Sequence, residues 1–144
     1  MTDHCAICMP YESKIRLTRL IGKGSFAKVY AGEMQSPNDK CSALPVAIKC
    51  LRKRDAHRAF SVYKERDILN KLNHKNIAKL IRTTESDNYL FLVQELCEMD
   101  LFDLIVNGLD VDTTKRLFYQ LCDAVAYCHA SGIYHRYFFL TVAI

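Results

Sequence analysis

Two short segments decide the fold of this chain, Gly22-Lys-Gly-Ser-Phe-Ala-Lys-Val-Tyr30 and, after a polar spacer, Val46-Ala-Ile-Lys49. The eight residues before the first segment alternate between polar and apolar side chains, as in a half-buried strand, and residues 28–31 have the composition of a second strand. The glycines are therefore predicted to lie at a turn between two strands. Because glycine lacks a Cβ atom, the backbone there can approach a phosphate and direct its N–H groups towards it. Lys49, on a predicted third strand, adds a compact positive charge for phosphate oxygens.

A Gly-x-Gly pair occurs in three different kinds of turn or loop besides a phosphate-facing hairpin. A plain turn is the usual meaning of two such glycines. A dinucleotide-binding loop needs a third glycine and a helix directly afterwards, whereas a strand is predicted here and Ala27 holds the third place. A Walker loop needs Gly-Lys-Ser or Gly-Lys-Thr after its spacer, and the segment contains neither. A phosphate-facing hairpin and a plain turn remain.

Taken together and in this order, the two segments resemble the amino-terminal lobe of a protein kinase, whose pattern is Gly-x-Gly-x-x-Gly-x-Val followed by Val-Ala-Ile-Lys. Gly22, Gly24, Val29 and residues 46–49 match this pattern, and Ala27 stands in place of the third glycine. The resemblance implies an α+β fold. We expect a five-stranded antiparallel sheet with one main helix, followed by an incomplete helical carboxyl-terminal lobe.

The resemblance also implies a nucleotide site. In protein kinases a helix glutamate pairs with the strand lysine and holds it over the α- and β-phosphates. Glu65, in a Glu-x-x-Ile-Leu context, takes that place for Lys49, although an acidic residue on a helix commonly just faces water. The hinge backbone at residues 95–97 would bond the adenine under an apolar roof that could equally be ordinary core. The residues expected to hold ATP are Ile21, Gly22, Lys23, Gly24, Ser25, Phe26, Ala27, Val29, Ala47, Lys49, Glu65, Glu95 and Cys97.

Apolar periodicity predicts the remaining elements. The first helix is expected to run from Phe60 to Leu72, and strands are expected over residues 77–81 and Tyr89–Glu95. A short helix over Leu101–Ile105 and a longer one over Thr113–Ser131 complete the prediction. The last helix presents Leu117, Leu121 and Val125 on one face, which is predicted to be exposed, and it is expected to be capped by Asp112 and ended by Gly132.

The resemblance stops at residue 137. Residues 132–136 resemble the run into the catalytic loop of a kinase, but the Asp-Leu-Lys-Pro-Glu-Asn that should follow is replaced by the apolar segment Tyr137–Ile144. Tyr137 occupies the position of the catalytic aspartate, and Val142 occupies that of the metal-binding asparagine. A phenol with a reference pKa of about 10 is neutral near pH 7 and cannot act as the base. No catalytic or metal-binding residue is therefore assigned; ATP is expected to bind weakly, and Mg²⁺, which the family uses, is expected to lack its protein ligands.

The expected organisation is a flexible leader over 1–13, a kinase-like lobe and hinge over 14–97, incomplete carboxyl-terminal helices over 98–136 and a divergent apolar tail over 137–144. On this interpretation the chain is a truncated serine/threonine protein kinase-like protein. Its family transfers phosphoryl groups from ATP to protein hydroxyls, and this chain is expected to be inactive as written. Two alternatives stay open: a pseudokinase-type binding or regulatory protein, and a non-functional product of a frameshift or altered splice.

Composition sets the remaining expectations. The chain has 144 residues, half of them hydrophobic, which suffices for one domain with a core, and its net charge of +4 is too small and scattered to indicate nucleic-acid binding. No apolar run reaches membrane-spanning length, and no signal-peptide core is present. The chain has seven cysteines, and an odd number without a secretory signal favours reduced thiols in the cytoplasm or nucleus. Cys5 and Cys8 lack a second pair for a zinc site. The expected partner is a protein or a second copy of the chain, bound through the last helix and the tail.

Overall fold

A computed structural model describes residues 15–24, 27–35, 43–53, 56–99 and 101–134, with backbone alone for 56–62. The five strands pair antiparallel throughout, in the order β1-β2-β3-β5-β4, which confirms the predicted α+β fold with its five-stranded antiparallel sheet. Among the described residues, no helix is both long and apolar enough to cross a lipid bilayer. The elements are β1 (Ile15–Lys23), β2 (Ala27–Gln35), β3 (Ala43–Arg52), α1 (Ala56–Lys71), β4 (Leu80–Glu85), β5 (Tyr89–Glu95), α2 (Leu101–Val106) and α3 (Val111–Ala130).

The main core lies on the sheet face opposite α1. Buried side chains alternate along β3 from Val46 to Cys50, whereas β5 is buried on both faces, and every second side chain of these segments points into this core. Ile15 of β1 and Ile81 of β4, which belong to opposite edges of the sheet, both pack against this one cluster. This cluster therefore extends across the whole sheet, from one edge strand to the other. The buried members of the cluster are Met34, Val46, Ile48, Cys50, Phe91 and Val93.

The second apolar cluster lies on the other face of the sheet, under α1. It is formed by Leu51, Leu90 and Leu92, and the half-buried side chains of Tyr63 and Leu69 from α1 pack against it. Burial of one such leucine side chain stabilises the fold by about 1.5–3 kcal/mol. This cluster therefore fixes the helix on the face of the sheet that also carries the candidate site.

Several element boundaries differ from the predictions. The strand expected over residues 77–81 begins only at Leu80, because Ile77 belongs to a turn in which its N–H donates to the His74 carbonyl at 3.0 Å. Helix α1 begins at Ala56, four residues before the predicted start. The strand Tyr89–Glu95 is confirmed, and the short helix is one residue longer than expected.

The ends of α3 correct one prediction and confirm another. Asp112 is not the cap: the side chain of Asp110 accepts hydrogen bonds from the N–H groups of Asp112 and Thr113, at 3.0 and 2.9 Å. The predicted end at Gly132 is confirmed, because this glycine has φ 70° and its N–H donates to a carbonyl in the last turn. The next N–H, of Ile133, donates to the Cys128 carbonyl at 2.9 Å, which completes a Schellman motif.

Helix α3 packs against the loop that follows α1. The Asp123 carboxylate accepts a hydrogen bond from the Asn76 amide at 3.1 Å, and the Tyr127 ring stacks on the His74 ring with 4.9 Å between centroids. Leu117 is only 4% exposed, so the exposure predicted for this face of α3 is wrong for that residue. The large apolar side chains that are exposed on α2 and α3 are Phe102, Ile105, Val106, Val111, Phe118 and Tyr119.

Candidate functional site

The glycine segment forms a tight hairpin between β1 and β2. The first strand extends two residues further than predicted, since Gly22 pairs with Val29 and Lys23 pairs with Lys28. The turn is closed by a hydrogen bond of 2.8 Å from the Gly24 N–H to the Ala27 carbonyl. Gly22 therefore lies within a strand and only Gly24 lies at the turn. Two other predicted site residues, Ser25 and Phe26, lie outside the described residues.

The folded chain does not itself require glycine at residues 22 and 24. Neither residue has a positive φ, and a Cβ atom would meet its nearest neighbours at ordinary contact distances, 3.5 Å for Gly22 and 3.7 Å for Gly24. Gly32 on β2 is different, because a Cβ there would lie 2.5 Å from Cδ1 of Ile48 and 2.6 Å from the Arg16 carbonyl oxygen. The close packing of the sheet explains Gly32, whereas no close contact among the described residues explains Gly22 and Gly24.

Lys49 and Glu65 form an ion pair beside this hairpin. The Lys49 Nζ donates to the Glu65 Oε1 at 2.5 Å, with 30% and 35% of the two side chains exposed. Lys49 lies directly opposite Val29 in the β2–β3 register, and residues paired in this way present their side chains on the same face. Glu65 reaches it from α1, one helical turn before Leu69, which packs on the sheet. The pair therefore places one positive and one negative group on the same face as Val29.

The residues predicted to form the apolar roof lie around the same end of the sheet. Val29 and Ala47 are half-buried, and Ala47 pairs with Gln94 of β5. Ile21 is 40% exposed and lies where the β1–β2 register shifts, between Leu20 and Gly22. Small or branched side chains that are only half covered leave an apolar surface on which a flat ring could rest.

The hinge segment follows β5. Glu95 is held at the end of the strand by a pair of bonds with Lys79: its N–H donates to the Lys79 carbonyl at 3.1 Å, and its carboxylate accepts from the Lys79 N–H at 3.0 Å. Burial, and then the charge of Glu95, raise the pKa of the half-buried Cys97 thiol. Among the described residues the Cys97 N–H has no backbone hydrogen-bond partner. The hinge thus carries an anchored strand end followed by a backbone donor.

The structure also contains a network that the sequence did not suggest. The Glu85 Oε2 accepts hydrogen bonds from Lys53 Nζ at 2.7 Å and from Tyr63 Oη at 3.0 Å. Tyr63 lies two residues before Glu65 on α1, so this network reaches the helix that carries the ion pair. A contact between residues separated by more than twenty positions leaves no sign in local periodicity, and no sequence pattern could have identified it.

Metal binding has no support from the described part of the chain, where no group of three or more His, Cys, Asp or Glu side chains is arranged to hold an ion. The Cys5–Cys8 pair lies outside the described residues, as does Tyr137. The site that the structure brings together is therefore a glycine hairpin, a lysine–glutamate pair, an apolar roof and a hinge.

Comparisons with known proteins agree with this geometry. Residues 15–137 match the family model of the protein kinase domain. The chain is 37% identical over 128 residues to CBL-interacting protein kinase 19 of Oryza sativa, covering 85% of this chain and 24% of the relative. It is 31% identical over 131 residues to the serine/threonine-protein kinase ksp1 of Schizosaccharomyces pombe, covering 84% and 27%.

A mouse relative and a solved structure give the same result. Testis-specific serine/threonine-protein kinase 3 is 35% identical over 128 residues, covering 84% of this chain and 46% of the relative. The crystal structure of Rad53 1-466 in complex with AMP-PNP superimposes with a TM-score of 0.72 at 26% identity, covering 87% of this chain and 33% of that one. The chain thus spans less than half the length of each of these relatives. It belongs to the protein kinase family.

Proposed function

We propose that this chain carries the nucleotide-facing half of a serine/threonine kinase site and binds ATP weakly through it. The observation that carries the proposal is the Lys49–Glu65 ion pair at 2.5 Å, on the same sheet face as Val29. In protein kinases this pair holds the lysine over the α- and β-phosphates, and an active arrangement requires it to be in place. The AMP-PNP in the related Rad53 structure supports the same class of ligand.

The residues present fit an ATP molecule at the phosphate and adenine ends. Gly22 and Gly24 carry no side chain that would separate a phosphate from the hairpin backbone, and backbone N–H groups next to such glycines can bond phosphate oxygens. Lys49 supplies the neutralising charge, and the resemblance assigns the adenine to the hinge, where the Cys97 N–H has no backbone hydrogen-bond partner among the described residues. When bound, ATP supplies the transferable γ-phosphoryl group.

Metal coordination is the weak part of this site. Val142 stands where the resemblance expects a metal-binding asparagine, and its side chain has no ligand oxygen. Phosphoryl transfer depends on charge neutralisation by Mg²⁺ at the β- and γ-phosphates. Without this ligand the ion would be held less firmly, so we expect weak affinity that gains little from added magnesium.

We further propose that the chain does not transfer phosphate. Tyr137 stands at the position of the catalytic aspartate, and a neutral phenol neither accepts the substrate proton nor orients it as a carboxylate does. A pseudokinase-type regulatory role is the second candidate. It is favoured by the combination of an intact Lys49–Glu65 pair with the loss of the base.

Calorimetry with ATP and a phosphotransfer assay on the same protein test both statements. We expect weak binding that is lost in Lys49→Met and no transfer to generic protein substrates. Lys28→Met is the matched control, because Lys28 lies one position from Val29 in the same strand and points to the opposite face. Phosphate transfer that Lys49→Met abolishes would overturn the proposed inactivity, and a complete lack of ATP binding would overturn the proposed site.

A further inference from the structure

One carboxylate oxygen joins three elements of this fold. Glu85 is the last residue of β4, and its Oε2 accepts from Tyr63 on α1 at 3.0 Å and from Lys53 at 2.7 Å. Lys53 directly follows the last residue of β3. The end of β4, the end of β3 and the first half of α1 are therefore tied at one point.

Both donors are fixed independently of this contact. The Lys53 N–H donates to the Asn88 carbonyl at 2.9 Å, and the Lys53 side chain is only 16% exposed. The Tyr63 ring packs against the apolar cluster under α1, and the Arg66 guanidinium lies 4.9 Å from its centroid. Because little side-chain freedom remains to be lost, these bonds form at a low entropic cost.

The contact is made between charged groups. The hydrogen bond from Lys53 is the main cause that lowers the pKa of Glu85 below its ordinary value, and the bond from Tyr63 adds to it. Burial alone would lower the pKa of Lys53, but the hydrogen bond and charge of Glu85 outweigh it and raise that pKa. Near neutral pH the carboxylate and the ammonium are therefore both ionised, and hydrogen bonds between ionised groups are the stronger kind.

The position of Tyr63 relative to Glu65 links the Glu85 contact to the Lys49–Glu65 pair. Two residues along an α-helix are separated by about 200° around the helix axis, because one turn takes about 3.6 residues. Tyr63 and Glu65 therefore hold α1 from two different sides, one at Glu85 and one at Lys49. A rotation of α1 that moves Glu65 away from Lys49 must also strain the contact with Glu85.

We propose that Glu85 is a positioning residue: through Tyr63 and Lys53 it sets the rotation of α1 that brings Glu65 to Lys49. The inference rests on the proposed function in one respect, namely that the Lys49–Glu65 pair faces the nucleotide. The pair itself can be measured without nucleotide, so the two proposals fail separately.

The reactivity of the Lys49 amine reports whether the pair is formed. The full chain is acetylated under limiting reagent, and the rate at Lys49 is measured by peptide mass spectrometry relative to the exposed residue Lys79. An ion-paired ammonium is protected from the reagent. We expect Glu85→Ala and Tyr63→Phe to raise the relative rate about fivefold, the population shift that the loss of one such hydrogen bond produces.

Three further variants make the result decisive. Glu65→Gln breaks the pair directly and sets the upper limit of the Lys49 rate. Glu33→Ala removes an ion pair of the same 2.7 Å length from the β1–β2 hairpin, remote from α1, and should leave the rate unchanged. Glu85→Gln keeps an acceptor oxygen for Tyr63 and should give an intermediate rate.

The inference is overturned if folded Glu85→Ala and Tyr63→Phe label Lys49 at the wild-type rate while Glu65→Gln labels it faster. It is also overturned if Glu33→Ala raises the labelling rate as much as Glu85→Ala does. The higher rate would then reflect destabilisation of the whole fold rather than a change in the position of α1. Circular dichroism identifies variants that have lost the fold. If Glu85→Ala does not fold, Tyr63→Phe, which removes a single hydroxyl, still tests the inference in the same labelling experiment. A chain that labels as expected but binds no ATP would contradict the proposed function and leave the positioning role intact.

Discussion

The Nζ of Lys49 lies 2.5 Å from Oε1 of Glu65, which ties the middle strand of the sheet to the helix that packs on it. About a third of each side chain is exposed to solvent. Ion pairs this accessible contribute about 0–1 kcal/mol to stability, because water and salt screen them and the side chains lose entropy. The pair is therefore too weak to be explained as a main support of the fold.

Substitution of Lys49 should separate stability from ligand binding. We expect Lys49→Met to change the free energy of unfolding by no more than about 1 kcal/mol, as for other exposed ion pairs. The same variant should lose ATP binding, because it removes the cation that Glu65 holds on the same sheet face as Val29. Urea denaturation and calorimetry on one preparation measure both quantities. A large loss of stability would show that the pair is structural after all.

Substitution of Gly32 in β2 and of Gly24 at the turn should change the stability of the fold in opposite directions. Gly32→Ala should cost about 1–3 kcal/mol, because its Cβ would overlap backbone at 2.6 Å as well as the Ile48 side chain. Gly24→Ala should keep or raise stability, by up to about 1 kcal/mol, since alanine restricts the unfolded chain and meets no clash. Gly24→Ala should nevertheless weaken ATP binding, because its Cβ occupies the space beside the hairpin.

Thermal denaturation and calorimetry distinguish these two effects. Gly22→Ala serves as the second site variant, with its added Cβ at ordinary distance from Val29. Equal destabilisation by all three alanine variants would mean that the hairpin glycines serve the fold rather than the ligand.

The Glu85 contact should make stability depend on pH at both extremes. The pKa of Glu85 is lowered in the folded state, so its contribution is present above the ordinary value of 4.5 and is lost as pH falls through the folded value below it. The pKa of Lys53 is raised above 10.5, so its contribution is present below that pH and is lost as pH rises through the folded value. The contact therefore stabilises the fold between these limits.

Glu85→Gln is the variant that isolates this effect. The difference in stability between the native chain and Glu85→Gln should be largest near neutral pH and should shrink below pH 4.5. Urea denaturation at several pH values measures it, and Glu33→Gln corrects for the general response of exposed carboxylates. If the difference in stability between the two proteins stayed constant below pH 4.5, Glu85 would not be stabilised as an anion.

The parts of the molecule that could be predicted from sequence are those encoded in spacing. The glycine segment and the Val46–Lys49 segment, in this order, resemble the protein kinase pattern, and that resemblance led to the sheet and to the Lys49–Glu65 pair. The cap of α3 was misplaced because Asp110 and Asp112 have the same side chain, and only the backbone path decides which one faces the N–H groups.

The missed features depend on contacts between distant residues. The bond between Tyr63 and Glu85 depends on how α1 packs on the sheet, which a local pattern does not encode. The burial of Leu117 is another case, because periodicity identifies an apolar face without saying whether another element covers it. The roles of the site residues in binding ATP stay predictions until ligand binding is measured.

The exposed apolar side chains of α2 and α3 should cause this chain to self-associate. Phe102 and Phe118 are 72% and 62% exposed, and Tyr119 is 73% exposed. An aromatic side chain carries about 150–250 Å² of surface, so pairing two copies through these residues would remove several hundred Å² from water on each. That is enough for a weak interface, although less than the roughly 800 Å² per partner of a standard one. We therefore expect concentration-dependent light scattering from the isolated chain.

Paired variants test the surface itself. Phe102→Ser and Phe118→Ser should reduce the scattering, because each removes a large exposed apolar group, whereas Lys115→Ser, three residues before Phe118 on the same side of α3, should not. Deletion of residues 137–144, an apolar segment with β-branched and aromatic residues, should reduce it further, since such segments favour strand-mediated aggregation. If instead the full chain is a monomer and the deletion aggregates, the tail must cover the helices, and the surface is an internal contact rather than an interface between copies.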